Sequence, residues 1–326
     1  MKKINWGIIG CGDVTEVKSG PAFNKVNNSS LVAVMRRDAE KAKDYAQRHN
    51  VPAWYSDANQ LINDPAVNAI YIATPPSTHE AYTIAAIDAG KPVYVEKPMT
   101  LNQDAALRMA EYASAKNVRL SVAHYRRAQP LFKKVKQLLE ANAIGEIRCI
   151  RLDYFKVPLS KDELKLPKVA WRIDPAISGG GLFHDIAPHQ LDLMYYFFGP
   201  VEKAFGISTR QSAIGQAADM VAGNILFKNE IAFSGAWCFN VAEGQERDCC
   251  EIMGSHGKIK FSVFETLPVT LSTADTNESF HFDILPHVQQ PMIECVTNYF
   301  LGNADNPCSG EDGAAVMNLL DAFTTQ

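Results

Sequence analysis

The sequence predicts an α/β chain in two parts: a doubly wound parallel sheet, then an α+β domain built on a large, mainly antiparallel, open sheet. Three observations lead there. Over roughly the first 120 residues, short unbroken apolar runs alternate with helical patterns. From about residue 146, strand-like runs follow one another with little helix between them. Finally, 326 residues at 47% hydrophobic and 21% charged is length for about two domains. That apolar content is enough to fill their cores, which excludes disorder as an overall description.

The runs at 4–9, 31–35, 69–73, 93–95 and 120–123 are short and rich in β-branched and aromatic residues. Parallel strands buried on both faces read this way. Between them, 39–48, 79–89 and 102–116 read as helices. In the second, Ala81, Ile84, Ala85 and Ala89 mark one face and Gly90 follows as a stop. In the third, Ala105, Leu107, Met109, Ala110 and Ala113 give a broad apolar face. Strand, helix and strand repeated this way specify right-handed crossovers. Further on, strands are expected at 147–155, 201–209, 220–227, 231–238, 247–253, 258–263 and 269–272. Lys228-Asn229-Glu230 and Ser255-His256-Gly257 serve as hairpin links. One strong helix, 182–198, interrupts them and ends at Gly199-Pro200. The stretches 291–301 and 311–323 are expected to be helical again.

Lys and Arg number 32 against 36 Asp and Glu, a formal charge of −4, which leaves no electrostatic footprint for nucleic acid or an anionic membrane. The seven cysteines form no CxxC pair. Neither a disulfide scaffold nor a zinc knuckle is indicated, and a reducing cytoplasm is the expected location. The N-terminal apolar stretch is broken by Asn5, Gly7 and Gly10, unlike a signal peptide. No run of about 18 apolar residues suggests a membrane span.

The first strand runs into Gly10-Cys11-Gly12-Asp13-Val14-Thr15. Glycine at 10 permits a tight turn, and glycine at 12 lets the backbone approach a pyrophosphate at a helix N-terminus. Asp13 and Val14 then open that helix against the cofactor. Thr15 takes the place of the third glycine, and Gly20-Pro21 implies that the first helix is short or broken. Directly after the first strand of a βαβ array, this reads as the dinucleotide site of a Rossmann domain.

The second strand ends Val34-Met35-Arg36-Arg37-Asp38, where an acid would bond the adenosine ribose. Two guanidiniums suit a 2′-phosphate instead. NADP(H) is therefore expected, with NAD possible, Arg36 as the phosphate partner and Arg37 stacking on the adenine. A solvated Arg-Arg-Asp loop is the plain alternative. Thr74, Pro75 and His79 lie in a two-proline loop at a strand's C-terminal edge, where such sheets bind ligands. His79 is placed equally well to line the cofactor or to cap the next helix.

The strand at 93–95 closes on Glu96-Lys97-Pro98. Pro98 keeps Lys97 extended, and a partly desolvated lysine beside a nicotinamide can hydrogen-bond a substrate oxygen and assist proton movement. A snorkelling lysine paired with Glu96 is the competing reading. Farther on, Gly179-Gly180-Gly181 precedes a helix on which Asp185, His189 and Asp192 share one face. An imidazole beside a carboxylate suits general acid–base work near neutral pH. A structural histidine competes with it, as does a metal site of His184, Asp185, His189 and Asp192. His184 points elsewhere on the helix, leaving too few convergent ligands, so no metal is expected.

Taken together, GCGDVT, ATPPSTH, YVEKP, Trp171-Arg172, GGG and Asp185-x-x-x-His189-x-x-Asp192 resemble the Gfo/Idh/MocA oxidoreductases, of the glucose–fructose oxidoreductase and inositol dehydrogenase kind, over essentially the whole chain. The resemblance implies a Rossmann domain, taken as 1–124, and the helix 311–326 is expected from the chain pattern to pack back on it. It implies a substrate-binding and oligomerisation domain over 125–310. Lys97 matches the EKP lysine, His189 the acid/base histidine and Asp185 the acid four residues before it. Trp171-Arg172 matches the segment that approaches nicotinamide and substrate; a buried Trp anchoring a loop is the alternative. Thr15 and His124-Tyr125 depart from the pattern. The implied activity is hydride transfer between nicotinamide and a CH–OH or C=O carbon of a sugar, sugar derivative or cyclic polyol. The implied assembly is a homodimer or homotetramer through the second domain's sheet, with no nucleic-acid or membrane partner. A cofactor-binding sensor without turnover is the alternative from another class; a dihydrodiol dehydrogenase-like or biliverdin reductase-like enzyme differs in its substrate pocket.

Overall fold

The computed structural model describes residues 2–212 and 215–324. Its first block runs β1 (Ile4–Ile9), α1 (Asp13–Val17), β2 (Ser29–Met35), α2 (Ala39–Arg48), β3 (Ala53–Tyr55), α3 (Ala58–Asn63), β4 (Ala69–Ile72), α4 (His79–Asp88), β5 (Val93–Val95), α5 (Gln103–Ala115) and β6 (Leu120–Val122). The strands pair in parallel in the order β3-β2-β1-β4-β5-β6. Ile8, Ile9, Val34, Ile72 and Val95 are all 0% exposed, which is why these strands read as unbroken apolar runs. Short polar residues start the helices: Asp38 accepts from Lys41 N at 3.2 Å, Asp57 from Asn59 N at 2.8 Å and Asn102 from Ala105 N at 3.0 Å. The chain leaves β1 toward β2 on one side, and β4 pairs on the other. The switch point of the sheet therefore lies at the C-terminal ends of β1 and β4, where ligands of such sheets bind.

The second block runs α6 (Pro130–Glu140), β7 (Ile147–Phe155), α7 (Lys161–Lys165), α8 (Pro167–Ala170), α9 (Pro175–Ser178), α10 (Gly181–Phe198), β8 (Val201–Thr209), β9 (Met220–Phe227), β10 (Ala232–Cys238), β11 (Arg247–Gly254), β12 (Gly257–Phe261), β13 (Val269–Thr273) and β14 (Asn277–Phe280). Its eight-stranded sheet has the order β14-β13-β12-β11-β7-β10-β9-β8. β7 and β10 run parallel, and every other pair is antiparallel. Along α10, Phe183, Ala187, Leu191 and Met194 are 0% exposed. Pro188 interrupts that helix, removing one donor from its ladder.

Two more helices close the chain, α11 (Gln290–Leu301) and α12 (Gly310–Thr324). Packing groups Met1–Ala128 with Leu285–Met317, and Gln129–Ile284 with Asn318–Gln326. The sequence reading places its boundary at 124 and the helix 311–326 wholly with the first domain. Packing instead returns 285–317 to the first unit and divides α12 between the two. Residues 325–326 of the expected helix lie outside the described residues. Among the described residues no helix is long and apolar enough to cross a membrane.

Candidate active site

The β1–α1 turn is built by its glycines. Gly10 has φ +95°, and a Cβ there would fall 2.7 Å from Thr74 Cγ2 and 2.9 Å from the Ala73 backbone. Only glycine fits so close a crossing of β1 by the loop after β4. Gly10 and Cys11 donate their N–H groups to Met35 O at 2.9 and 3.2 Å, and Gly12 donates to Gly10 O at 2.8 Å. Gly12 differs in kind. A Cβ there would meet nothing nearer than Gly10 O at 3.9 Å, so the chain leaves room beside its backbone. Gly12 is also the N-cap of α1 and brings no capping side chain, with Asp13 and Val14 in the first turn. A helix N-terminus without a capping side chain, beside open space at Gly12, is what a pyrophosphate requires, so the residues present fit a dinucleotide. Thr15, in the third-glycine place, is 0% exposed, and its hydroxyl folds back onto Gly12 O at 2.8 Å. Burial pushes the Cys11 thiol up to about 11, against the nearby Arg36 charge; it stays neutral.

At the end of β2, Arg36 is half-buried and Arg37 and Asp38 are exposed. Arg36 donates to Cys11 O at 3.3 Å, which keeps the guanidinium beside the glycine turn. In the loop after β4, Thr74 and Pro75 are half-buried, and Thr78 Oγ1 donates to Thr74 Oγ1 at 2.8 Å. His79 is 0% exposed. Its Nε2 lies 2.7 Å from Thr74 O, and its Nδ1 lies 3.1 and 3.2 Å from Pro98 O and Met99 O. Thr78 is the N-cap of α4. The ring therefore neither caps that helix nor faces a ligand. It braces the Thr74 loop against the segment that carries Lys97.

Lys97 follows β5, is half-buried and joins Pro98 through a cis peptide bond. Glu96 is 5% exposed and its carboxylate turns inward. Tyr71 Oη donates to Glu96 Oε1 at 2.5 Å, Gln289 Nε2 donates to the same oxygen at 2.6 Å, and Lys97 N–H donates to Oε2 at 3.1 Å. Neither Tyr71 nor Gln289 stands in a local motif; a tyrosine inside the apolar run of β4 is the one signal the sequence offers.

In the second unit, Asp185 and His189 lie one turn apart on α10. Arg172 donates to Asp185 Oδ2 from Nε at 3.0 Å, and its guanidinium sits 4.6 Å from the centre of the Trp171 ring. Trp171 and Arg172 are half-buried, so Trp171 is no buried anchor. His189 is 6% exposed, with the Phe264 ring edge-on at 5.6 Å. An imidazole one turn from a carboxylate suits proton transfer to and from a hydroxyl. His184, on the other side of the helix, packs on Gly180: a Cβ there would lie 2.0 Å from its Nδ1. Burial lowers its pKa to about 4. Among the described residues no group of three or more His, Cys, Asp or Glu is placed to hold a metal ion.

A parallel sheet with a glycine turn at its switch point, followed by a large mixed sheet, defines a two-domain protein of the dinucleotide-binding class. Comparison makes the class specific. Residues 4–124 match the profile described as an oxidoreductase family with an NAD-binding Rossmann fold, and 132–260 match the GFO/IDH/MocA C-terminal domain. Oxidoreductase P35 of Formosa agariphila is 48% identical over 321 residues, covering 98% of both chains. Myo-inositol 2-dehydrogenase of Thermotoga maritima is 27% identical, covering 96% of this chain and 93% of its own. A crystal structure of an oxidoreductase from Agrobacterium radiobacter in complex with NAD+, L-tartaric acid and magnesium shares the fold, with a TM-score of 0.85 at 18% identity, covering 98% of this chain and 95% of that one. The chain belongs to the Gfo/Idh/MocA oxidoreductase family.

Proposed function

We propose that this oxidoreductase uses NADP(H) in preference to NAD(H) and acts on a CH–OH or C=O carbon of a sugar, sugar derivative or cyclic polyol. The glycine turn at the switch point of the parallel sheet carries the reading, since its tight crossing at Gly10 and open backbone at Gly12 suit a pyrophosphate. Gly10, Gly12, Asp13, Val14 and the Thr74-Pro75 loop would hold the dinucleotide, Arg36 its 2′-phosphate and Arg37 its adenine. The nicotinamide, when bound, supplies the hydride chemistry.

The protein's own residues manage the proton and the geometry. His189 accepts the proton of the reacting hydroxyl in oxidation and returns it in reduction. Lys97 hydrogen-bonds the same oxygen. Asp185, held by Arg172, orients the imidazole or binds a neighbouring hydroxyl. Trp171 and Arg172, by the family resemblance, would approach the nicotinamide. The curated relative that acts on myo-inositol supports a polyol or sugar as substrate. On β8, Phe205 and Ile207 are 62% and 71% exposed, two residues apart and so on one face. That apolar face supports homo-oligomerisation through the second sheet. Seven free cysteines fit a reducing cytoplasm.

The test is fluorescence titration with NADPH and NADH, followed by absorbance at the reduced-nicotinamide band with a panel of sugars and cyclic polyols that includes myo-inositol. NADPH is expected to bind more tightly, and at least one panel member to be turned over. Replacing the histidine, His189→Asn, is expected to lower kcat by roughly 10²- to 10⁴-fold, the usual worth of general acid–base help, with cofactor affinity kept. Full turnover in His189→Asn would remove it from the mechanism; cofactor binding with no turnover anywhere in the panel would favour a sensor.

A further inference from the structure

Glu96 immediately precedes Lys97, and an inward carboxylate beside a working lysine needs a physical account. Burying a carboxylate is costly unless hydrogen bonds replace its water. Here the donors are divided between the two oxygens. Oε1 takes the Tyr71 phenol at 2.5 Å and the Gln289 amide at 2.6 Å, which leaves Oε2 to take the Lys97 N–H at 3.1 Å. Tyr71 and Gln289 are both 0% exposed, so neither donor has water as an alternative. Burial, together with the Glu96 charge, holds the Tyr71 phenol well above its ordinary pKa, so it remains a donor. Gln289 arrives from far along the chain as the N-cap of α11, and its own N–H is anchored to Lys18 O at 3.2 Å. Beyond Lys97, the buried His79 ring lies against the Pro98 and Met99 carbonyls. The backbone carrying the lysine is thus gripped on both sides.

We infer that Tyr71 and Gln289 are positioning residues for the reaction: by fixing Glu96 Oε1 they commit Oε2 to the Lys97 N–H and so aim the lysine. The inference rests on the reading of Lys97 as the group that bonds the reacting oxygen. Losing either donor frees the carboxylate to turn, and the Lys97 N–H loses its fixed acceptor.

The test uses the full chain with Tyr71→Phe, Gln289→Leu and, separately, Lys97→Met. Tyr71→Phe keeps the ring that stacks on Tyr94 at 5.2 Å, so it remains informative if Gln289→Leu does not fold. Amide hydrogen exchange at Lys97, read by NMR, is expected to quicken about tenfold in Tyr71→Phe and in Gln289→Leu, the scale of one lost hydrogen bond. Exchange at Ile70, whose N–H bonds Pro92 O at 2.9 Å in the same sheet, is expected to stay as in the wild type. With the sugar or polyol that the wild type turns over, kcat is expected to fall about tenfold on the same scale, while the dissociation constant for NADPH is unchanged. Wild-type exchange at Lys97 in both variants overturns the inference, whatever the activity. Full turnover in Lys97→Met instead overturns the reading of Lys97, and the exchange result then decides the role of Tyr71 and Gln289 alone.

Discussion

On the proposed reading, cofactor choice turns on Arg36. It leaves β2 half-buried and ties one N–H to Cys11 O at 3.3 Å, beside the glycine turn. The next carboxylate along the chain, Asp38, is committed elsewhere: it caps α2 through Lys41 N at 3.2 Å and pairs with Lys41 Nζ at 3.1 Å. Arg36→Asp is therefore expected to cost NADPH about 1.5–3 kcal/mol of binding relative to NADH, roughly tenfold to a hundredfold. The ratio of kcat/KM for the two cofactors measures it; an unaltered ratio would place the 2′-phosphate elsewhere. A proposal of this kind can be drawn from sequence because it follows from charge at a strand end. The roles of His79 and Glu96 are not. Each is a polar residue inside a motif, and only the fold reveals that its partners are Thr74, Pro98 and Met99 in one case and Tyr71 and Gln289 in the other. Nor could Arg172 and Asp185 be paired from sequence, since a loop and the start of α10 separate them.

Among the elements, the β1–α1 turn offers the cleanest separation of folding from binding. At Gly10, a side chain meets both left-handed backbone, at φ +95°, and the Ala73 backbone at 2.9 Å. Gly10→Ala is expected to destabilise by about 2–4 kcal/mol, from conformational strain and overpacking together. At Gly12 the backbone is extended, with φ −121° and ψ −158°, and the added Cβ meets open space. Gly12→Ala is expected to leave stability within about 0.5 kcal/mol yet weaken NADPH binding. Thermal melts beside NADPH titrations distinguish the two, and equal affinity for NADPH in Gly12→Ala and wild type would deny the open backbone its role. The same contrast explains what could be read at this scale. Strands with two buried faces, such as β1 and β4, announce themselves. β3 escapes because Trp54 is 41% exposed on a three-residue edge strand, and β14 because Asn277, Glu278 and Ser279 are exposed. α7, α8 and α9 are four or five residues long, too short for any period to show. α6 was readable: Pro130 opens it and Phe132, Val135 and Leu138 are buried, but it lies where the first pattern ends and the second has not begun.

For the whole molecule, the consequence of these packed histidines and ion pairs is a stability that falls in acid through two successive windows. His184 is 2% exposed, and burial lowers its pKa to about 4. Burial lowers that of His79 too, against hydrogen bonds from its ring to three carbonyls. An unfolded histidine takes its proton near pH 6.5, so between that value and about 4 the unfolded chain binds more protons than the folded one. Stability is therefore complete above pH 6.5 and declines as pH falls toward 4, by about 3 kcal/mol for His184 at most. The second window belongs to Glu16. Arg48, at 2.8 Å, holds its carboxyl down to about 2, against partial burial. That contribution is present above about pH 4.5 and is lost as pH falls toward 2. Replacing the histidine by a side chain of similar reach that does not titrate, His184→Gln, is expected to make the fall across the upper window shallower by the His184 share, leaving that of His79, and to spare the lower one. Urea midpoints measured from pH 7 to pH 3 provide the check. A wild-type slope between pH 6.5 and 4 in His184→Gln would mean that the protonation felt by the fold happens elsewhere. If the wild type loses stability only below pH 4.5, the acid sensitivity resides in carboxylates such as Glu16 and not in the imidazole beneath Gly180.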